Sequence, residues 1–172
     1  MREGLLPWAV DDLDLGDRVL EVGPGFGPAT DALSERVHEL TALEIDPRLA
    51  SALRARLGAR ARVVEGDATA MPFPDRSFTA AACFTMLHHV PSTEAQDLLF
   101  AEVRRVLRPG APFVGTDSTG RGAGFALLHV GDTKVVIDPE DLPRRLSAAG
   151  FEDPSVDSGR DAMRFRARRP PG

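Results

Sequence analysis

Three alternating glycines follow the first apolar run of the chain, in the stretch VLEVGPGFG. Gly23, Gly25 and Gly27 carry no Cβ, so a ligand can approach the main chain there at little steric cost. A helix predicted to begin at Pro28 would point its partially positive N-terminus at an anionic group of that ligand. A tight strand-to-helix turn explains one or two glycines, whereas three in alternation directly after a strand favour a ligand site.

Carboxylates accompany these glycines. Glu21 lies two residues before Gly23, and Glu44 lies 17 residues beyond Gly27, near the position where nucleotide-binding folds place the acid that binds a ribose. A carboxylate only accepts hydrogen bonds, so Glu44 can receive both ribose hydroxyls. Asp46 is the expected cap of the next helix, because Pro47 suits a first helical turn. Glu44 is therefore predicted to be available for a ligand.

Two further strand ends carry polar side chains. Asp67 can accept a hydrogen bond from an exocyclic amine such as adenine N6, or it can be a turn residue that binds its own backbone. His88 and His89 are adjacent and do not share a face, so no joint metal site is predicted. One of them is expected to be packed or capping, and the other to accept a proton near the ligand. Cys83 has no activating partner in the sequence and fits a small buried hydrophobe.

These positions need a scaffold of alternating strands and helices. Apolar runs predict strands over residues 18–22, 41–45, 61–65, 77–84 and 111–117, with two short strands near Ser155 and Phe165. Apolar spacings of three and four predict helices over residues 28–40 and 47–57. A third helix has capping-box spacing at Thr93 and Gln96, and a fourth is predicted from Asp138 and Pro139 to Gly150. Such alternation implies a parallel sheet covered on both faces, with ligands beyond the carboxyl ends of its strands.

Composition narrows the class of protein. The chain has 172 residues, of which 42% are hydrophobic and 27% charged, with a net charge of −5, and this suits one domain, residues 1–172. No apolar run approaches the length of a membrane span. The start of the chain does not resemble a signal peptide, so the expected location is cytoplasmic. The acidic balance argues against a nucleic-acid partner, and the locally basic end from Arg164 is read as a solvated last strand.

The spacing of the glycines narrows the ligand. The pattern is Gly-x-Gly-x-Gly, and Pro28 stands where a dinucleotide-binding fold has its third glycine. Glu21 would repel a pyrophosphate in the same pocket, whereas it would attract an ammonium group.

Five segments in this order resemble the class I S-adenosylmethionine-dependent methyltransferases: VLEVGPGFG, ALEIDP, GDATAMPFPDRSF, LHHV and LRPGAPFV. The subgroup they resemble most is that of the ubiquinone and menaquinone methyltransferases. The resemblance covers about residues 18–117. It implies a Rossmann-like α/β fold with a seven-stranded, mostly parallel sheet, helices on both faces and an antiparallel last strand.

The resemblance also implies a site for S-adenosylmethionine, which becomes S-adenosylhomocysteine. Gly23, Gly25 and Gly27 would line its methionine portion, with Glu21 near the ammonium group and the main-chain carbonyl of Cys83 in contact with that group.

The nucleoside half of the cofactor would meet four further residues. Glu44 would bind both ribose hydroxyls and Ile45 would pack on the adenine. Asp67 would accept from the adenine amine, and the N–H of Ala68 would meet a ring nitrogen. No metal is implied. Catalysis is expected to be mainly positional, with His88 as the candidate base and His129 behind it.

The acceptor and the partners stay open at this stage. A small-molecule or carrier-bound acceptor is expected. Only 17 residues precede the first predicted strand, which predicts a very short lid and an open site, suited to a bulky acceptor or to closure by a second subunit. Residues 120–138 form either a hairpin or an apolar flap over the acceptor. The alternatives are a methyltransferase-like protein without catalysis and an NAD-dependent oxidoreductase.

Overall fold

The computed structural model describes residues 9–10, 13–120 and 135–172. Its strands are listed in chain order: β1 Arg18–Val22, β2 Glu39–Glu44, β3 Arg62–Glu65, β4 Ala80–Phe84, β5 Pro112–Ser118, β6 Glu152–Ser158 and β7 Ala162–Arg168. Its α-helices are α1 Pro28–Ser34, α2 Pro47–Leu57, α3 Thr93–Val106 and α4 Leu142–Ala148, and short 3-10 turns cover Gly58–Arg60 and Leu87–His89.

The described residues form one seven-stranded sheet in the order β3-β2-β1-β4-β5-β7-β6. Strands β1 to β5 run parallel to one another, and β7 is antiparallel to both β5 and β6. The predicted fold, including the antiparallel last strand, is therefore confirmed. Chain order reverses between β1 and β4, and in open α/β sheets this reversal is where ligands bind.

The two faces of the sheet pack against different helices. Successive side chains of a strand point to opposite faces, so Leu20 and Val22 join the buried apolar cluster under α3 and α4, while Val19 joins the cluster under α1 and α2. Ala80 and Ala81 of β4 divide between the clusters in the same way. Burial on both faces explains why these strands read as continuous apolar runs.

The predicted helix over residues 28–40 is too long at its C-terminal end. α1 ends at Ser34, and β2 already begins at Glu39. Leu40, which matches the helical apolar spacing, pairs instead with Val19 of β1 and is buried as a strand residue. A helix and a strand would both bury Leu40, so its apolar character does not distinguish the two conformations. The hydrogen-bonded pairing with β1 therefore decides that this residue is in a strand.

The predicted helix starts are also displaced. Ser92, not Thr93, caps α3 by accepting a hydrogen bond from the Ala95 N–H. Gln96 is buried and donates to the carbonyl of Leu87 instead of closing a capping box.

The fourth helix begins one turn later than predicted. Its cap position is Asp141, and Pro143 occupies its first turn. Asp138 instead closes a turn ahead of the helix, where its side chain accepts from the Glu140 N–H and its carbonyl from the N–H of Leu142. The first strand and turn of the predicted hairpin within residues 120–138, and His129, lie outside the described residues.

The basic end of the chain has a structural role. The predicted strand forms here as β7, but it is not solvated, because it lies between β5 and β6 and buries Met163, Phe165 and Ala167. Arg169, just after β7, donates to the carbonyls of Arg104, Arg105 and Leu107 at the end of α3. A cation at a helix C-terminus satisfies otherwise unpaired carbonyls. This contact fastens the last strand to the far end of the longest described helix.

Phe113 of β5 anchors the larger cluster. It is fully buried, and its ring lies 5.1 to 6.2 Å from those of Phe165, Phe151 and Phe100. We expect Phe113→Ala to lower the free energy of unfolding by about 3–5 kcal/mol, because a large cavity remains. Urea denaturation measures this. Leu98→Ala, on the exposed side of α3, is the control and should change stability by less than about 0.5 kcal/mol. Equal effects of the two substitutions would contradict this view of the core.

Candidate functional site

A cavity of about 800 Å³ opens beyond the carboxyl ends of β1 to β4. A pocket of this size can hold a nucleoside-sized ligand, since small-molecule sites span roughly 300–1,000 Å³. Its walls come from the loops that follow the four strands and from the start of α3. Of the predicted site residues, seven line it: Glu21, Gly23, Gly25, Glu44, Ile45, Asp67 and Ala68.

The glycine loop after β1 forms one wall of this pocket. Gly25 has φ +54° and open space where a Cβ would stand, so its conformation and not crowding favours glycine there. Gly27 faces away from the pocket, and a Cβ there would collide with Leu53 and Arg56 of α2. Gly23 and Gly25 thus face the cavity, whereas Gly27 lets the loop pack on α2.

Arg56 fixes the glycine loop from behind, a role that the sequence reasoning missed. Its guanidinium pairs with the carboxylate of Asp31 in α1 and donates to the carbonyl of Phe26 at 3.0 Å. Arg60 adds a second contact to Asp31 at 3.4 Å. In the sequence, Arg56 is only a basic residue beside the apolar stripe of α2. This position does not indicate that its partners lie in α1 and in the glycine loop.

Glu44 braces the loop from the front. Its Oε2 accepts from the Gly25 N–H at 2.9 Å, and its Oε1 accepts from the Asp46 N–H at 3.0 Å. Asp46 caps α2 as predicted, but Glu44 is not free of local contacts. Each carboxylate oxygen can accept a second hydrogen bond, so Glu44 can hold the loop and still receive ligand hydroxyls.

Glu21 is a carboxyl group buried at the floor of the pocket. It lies between Ala42 and Ala82 of the neighbouring strands, whose small side chains leave room for it. Burial raises the pKa of Glu21 to about 7; the nearby Thr30 hydroxyl opposes this shift, and the negative charges of Asp31 and Glu44 add to it. Within the described part of the chain its Oε2 has no hydrogen-bond partner. A buried, unsatisfied acceptor facing a cavity suits a cationic donor on a ligand.

Asp67, which follows β3, stabilises the turn in which it lies and also lines the pocket. Asp67 Oδ1 accepts from both the N–H and the hydroxyl of Thr69, at 2.7 and 2.8 Å. The turn-aspartate alternative is therefore present, and it occupies one oxygen only. Ile45, after β2, is 66% exposed on the opposite wall, and Ala68 stands beside Asp67.

The end of β4 differs from what was expected. Cys83 is fully buried and does not line the pocket; its carbonyl lies beside Gly115 of β5. Burial also raises the pKa of the Cys83 thiol, so it stays an unreactive hydrophobe. Phe84 and Thr85 line the cavity in its place.

Thr85 adopts a conformation that the sequence did not indicate. Its φ is +52°, which is rare for a β-branched residue. Its N–H donates to the Thr116 carbonyl at 2.7 Å, and its hydroxyl to the Phe84 carbonyl at 2.8 Å. Backbone strain of this kind costs on the order of 1–3 kcal/mol and clusters at functional sites. Here it turns the chain into the pocket wall.

The two histidines separate as the sequence suggested that they should. His88 is buried; its Nδ1 pairs with Asp117 Oδ1 and its main-chain N–H donates to Asp117 Oδ2 at 3.2 Å. His89 is exposed and lines the pocket. The candidate base, His88, thus lies behind the wall, where it joins the turn after β4 to the end of β5.

Comparison with known proteins agrees with this geometry. A family model described as a methyltransferase domain matches residues 20–115, more than half of the chain. This chain belongs to that methyltransferase family. The match confirms the predicted resemblance to methyltransferases, and it does not single out the ubiquinone and menaquinone subgroup.

Individual relatives of this methyltransferase domain differ in acceptor. A fatty-acid O-methyltransferase of Mycolicibacterium smegmatis is 38% identical over 109 residues, which cover 62% of this chain and 39% of that protein. A probable ribosomal RNA small subunit methyltransferase A of Thermococcus onnurineus is 47% identical over 60 residues, or 34% and 22% of the two chains. The chain thus spans well under half of the length of these relatives.

A solved structure shows the same fold for the whole methyltransferase domain. The crystal structure of a putative methyltransferase from Bacillus halodurans C-125 has a TM-score of 0.73 and 19% identity, and the match covers 94% of this chain and 96% of that one.

The described residues contain no group of three or more His, Cys, Asp or Glu side chains that could hold a metal ion. None of the described helices combines the length and apolarity needed to cross a membrane.

The raised pKa of Glu21 makes the stability of the methyltransferase domain depend on pH. A shift from 4.5 to about 7, at about 1.4 kcal/mol per unit, corresponds to roughly 3 kcal/mol. Between these values the unfolded chain loses the proton while the folded chain keeps it, so this contribution to stability falls as pH rises and levels off above about 7.

We expect Glu21→Gln to abolish this slope, because its amide does not ionise. In urea denaturation the variant should match the parent near pH 4.5 and exceed it by up to roughly 3 kcal/mol at pH 8. Stability profiles of parent and variant that run parallel from pH 4.5 to 8 would show that Glu21 is ionised in the folded domain.

The two histidines offer a second, matched comparison. His88→Leu removes the buried imidazole from Asp117 and leaves that carboxylate with main-chain N–H donors alone, so it should lower the free energy of unfolding by about 1–3 kcal/mol. His89→Leu, at an exposed position, should change it by less than about 0.5 kcal/mol. A His88→Leu protein as stable as His89→Leu would contradict the structural role of His88.

Proposed function

We propose that this chain transfers the methyl group of S-adenosylmethionine to a small-molecule or carrier-bound acceptor. The observation that carries the proposal is Glu21, a buried carboxyl at the floor of a glycine-walled pocket, whose Oε2 finds no hydrogen-bond partner among the described residues. The cofactor has an ammonium group that would satisfy this oxygen. Its amino-acid end would lie along the main chain of Gly23 and Gly25, where no Cβ obstructs it.

The remaining pocket residues fit the nucleoside half. Glu44, whose oxygens each keep an acceptor site, would receive the ribose hydroxyls. Ile45, largely exposed on the wall, would pack on the adenine. Asp67 would accept from the adenine amine through Oδ2, and Ala68 would donate its N–H to a ring nitrogen. Gly27 and Cys83 would act indirectly: Gly27 lets the glycine loop pack on α2, and Cys83 supports the end of β4.

When bound, the cofactor supplies a methyl group on a sulfonium, whose sulfur departs as a neutral thioether. The contribution of this chain is then to hold the acceptor in line with that methyl group. Orientation of this kind can supply roughly 7–11 kcal/mol. His89 faces the pocket and could accept a proton from an oxygen or nitrogen acceptor, while His88, behind the wall, would position the turn that carries His89.

The oxidoreductase alternative fits the site less well. Pro28 begins α1 without an N–H, at the position where a dinucleotide fold needs a glycine. A pyrophosphate would also lie near the carboxyl of Glu21, on which no cation among the described residues acts. Closure of the site by a second subunit, a cytoplasmic location and the absence of a nucleic-acid partner stay predictions, as does the alternative of a methyltransferase-like protein without catalysis.

Calorimetry with S-adenosylhomocysteine tests the proposal. We expect the protein to bind this nucleoside, and Glu44→Gln to weaken binding by about 10- to 100-fold, since a hydrogen bond to a charged group contributes roughly 1.5–3 kcal/mol. Glu65→Gln is the matched control: Glu65 ends β3 directly opposite Glu44 in the sheet register but lies outside the pocket lining. Binding of NAD without S-adenosylhomocysteine would favour the oxidoreductase.

A further inference from the structure

The side chain of Met86 lies along Gly23 of the glycine loop. A Cβ on Gly23 would stand 3.0 Å from both Cβ and Cγ of Met86 and 2.7 Å from its Cε. These distances are shorter than the roughly 3.5–4.0 Å at which carbon atoms make favourable contact. Met86 therefore fills the space that a side chain on Gly23 would need, and both residues line the pocket.

The main chain that carries Met86 is fixed by hydrogen bonds. The preceding residue, Thr85, has φ +52°, and its N–H donates to the Thr116 carbonyl at 2.7 Å. The carbonyl of Met86 accepts from the His89 N–H at 3.0 Å. Rotation about the side-chain bonds can withdraw Cε, but Cβ stays beside Gly23 unless the whole turn moves. Met86 also packs against the larger apolar cluster, which supports its side chain from behind.

Two glycines of the loop thus present different surfaces to a ligand. At Gly25 nothing stands within 4 Å of the position of a Cβ, so the main chain itself is open to the pocket. At Gly23 the corresponding space belongs to Met86. A ligand that runs along the loop meets bare main chain at Gly25 and an apolar, polarisable side chain at Gly23.

The cofactor of the proposed function would run past this side chain. Glu21 would hold its ammonium group, and Glu44, which accepts from the Gly25 N–H at 2.9 Å, would hold its ribose. Gly23 lies between these two anchor points along the chain. Two methylene groups join the ammonium-bearing carbon of the cofactor to its sulfur. This short apolar arm would therefore cross the part of the loop that Met86 covers.

We propose that Met86 packs on the methylene groups of the amino-acid arm and so selects nucleosides that carry this arm. The inference rests on the proposed function, because it needs the cofactor in this pocket. Glu21 recognises the charge at the end of the arm, whereas Met86 recognises its apolar middle. Because the Cβ of Met86 is fixed by the turn, the arm binds against a wall that is already in place.

Two nucleosides test this role by calorimetry. Methylthioadenosine has the sulfur, ribose and adenine of S-adenosylhomocysteine and lacks the amino-acid arm. Met86→Ala should weaken binding of S-adenosylhomocysteine by about tenfold, since two methylenes lose apolar contact, and change methylthioadenosine binding by less than about twofold. Met86→Leu, of similar volume, should stay within about threefold of the parent for both. Met86→Val, which is less disruptive than alanine, should show a smaller loss that is again confined to S-adenosylhomocysteine.

Ile45→Ala is the matched control on the opposite wall of the pocket. It should weaken both nucleosides by the same factor, because they share the adenine. An equal loss of both nucleosides in Met86→Ala would show that Met86 only supports the pocket, and tighter binding of S-adenosylhomocysteine would show that it obstructs the arm. Either result, or equal affinity of the parent protein for the two nucleosides, would overturn the proposal. A parent protein that binds neither nucleoside refutes the proposed function, and the inference about Met86 with it.

Discussion

The pairing of β1 between β2 and β4 is the constraint on which the site depends. In parallel register, Val22 lies opposite Leu43 and Cys83, so the chain segments after all three strands emerge at one edge of the sheet. The glycine loop, Glu44 and Thr85 meet there although they are far apart in sequence. A shift of one residue in this pairing would move Glu21 to the opposite face of the sheet.

Two features of the site lower the stability of the fold. Among the residues that the structure describes, Glu21 Oε2 is buried without a hydrogen-bond partner, and Thr85 holds a strained backbone conformation. Both features oppose folding, and the rest of the sheet must offset them through its two apolar clusters. An ammonium group at Glu21 would stabilise the ionised carboxyl, so the cost paid in the empty protein would return as binding free energy.

The arginines of the fold do structural work away from the pocket. Arg56 ties α2 to the glycine loop, Arg145 joins α4 to α3, and Arg169 caps α3. Their guanidinium groups are paired with carboxylates and helix carbonyls, and the described lining of the cavity is acidic and apolar.

The sequence by itself determined the class of fold, the seven strands and most of the pocket, because alternating apolar runs, glycine spacing and acids at strand ends are local signals. The apolar periodicity misplaced the end of α1 and the starts of α3 and α4. Leu40 pairs as a strand residue, and Ser92 and Asp141 take the cap positions of α3 and α4; apolar spacing encodes neither the strand pairing nor the choice of cap. Only the tertiary structure decided that Glu44 braces Gly25, that Arg56 holds Phe26, and that His89, not His88, faces the cavity. These contacts join residues from different elements, and no spacing along one strand or helix encodes them.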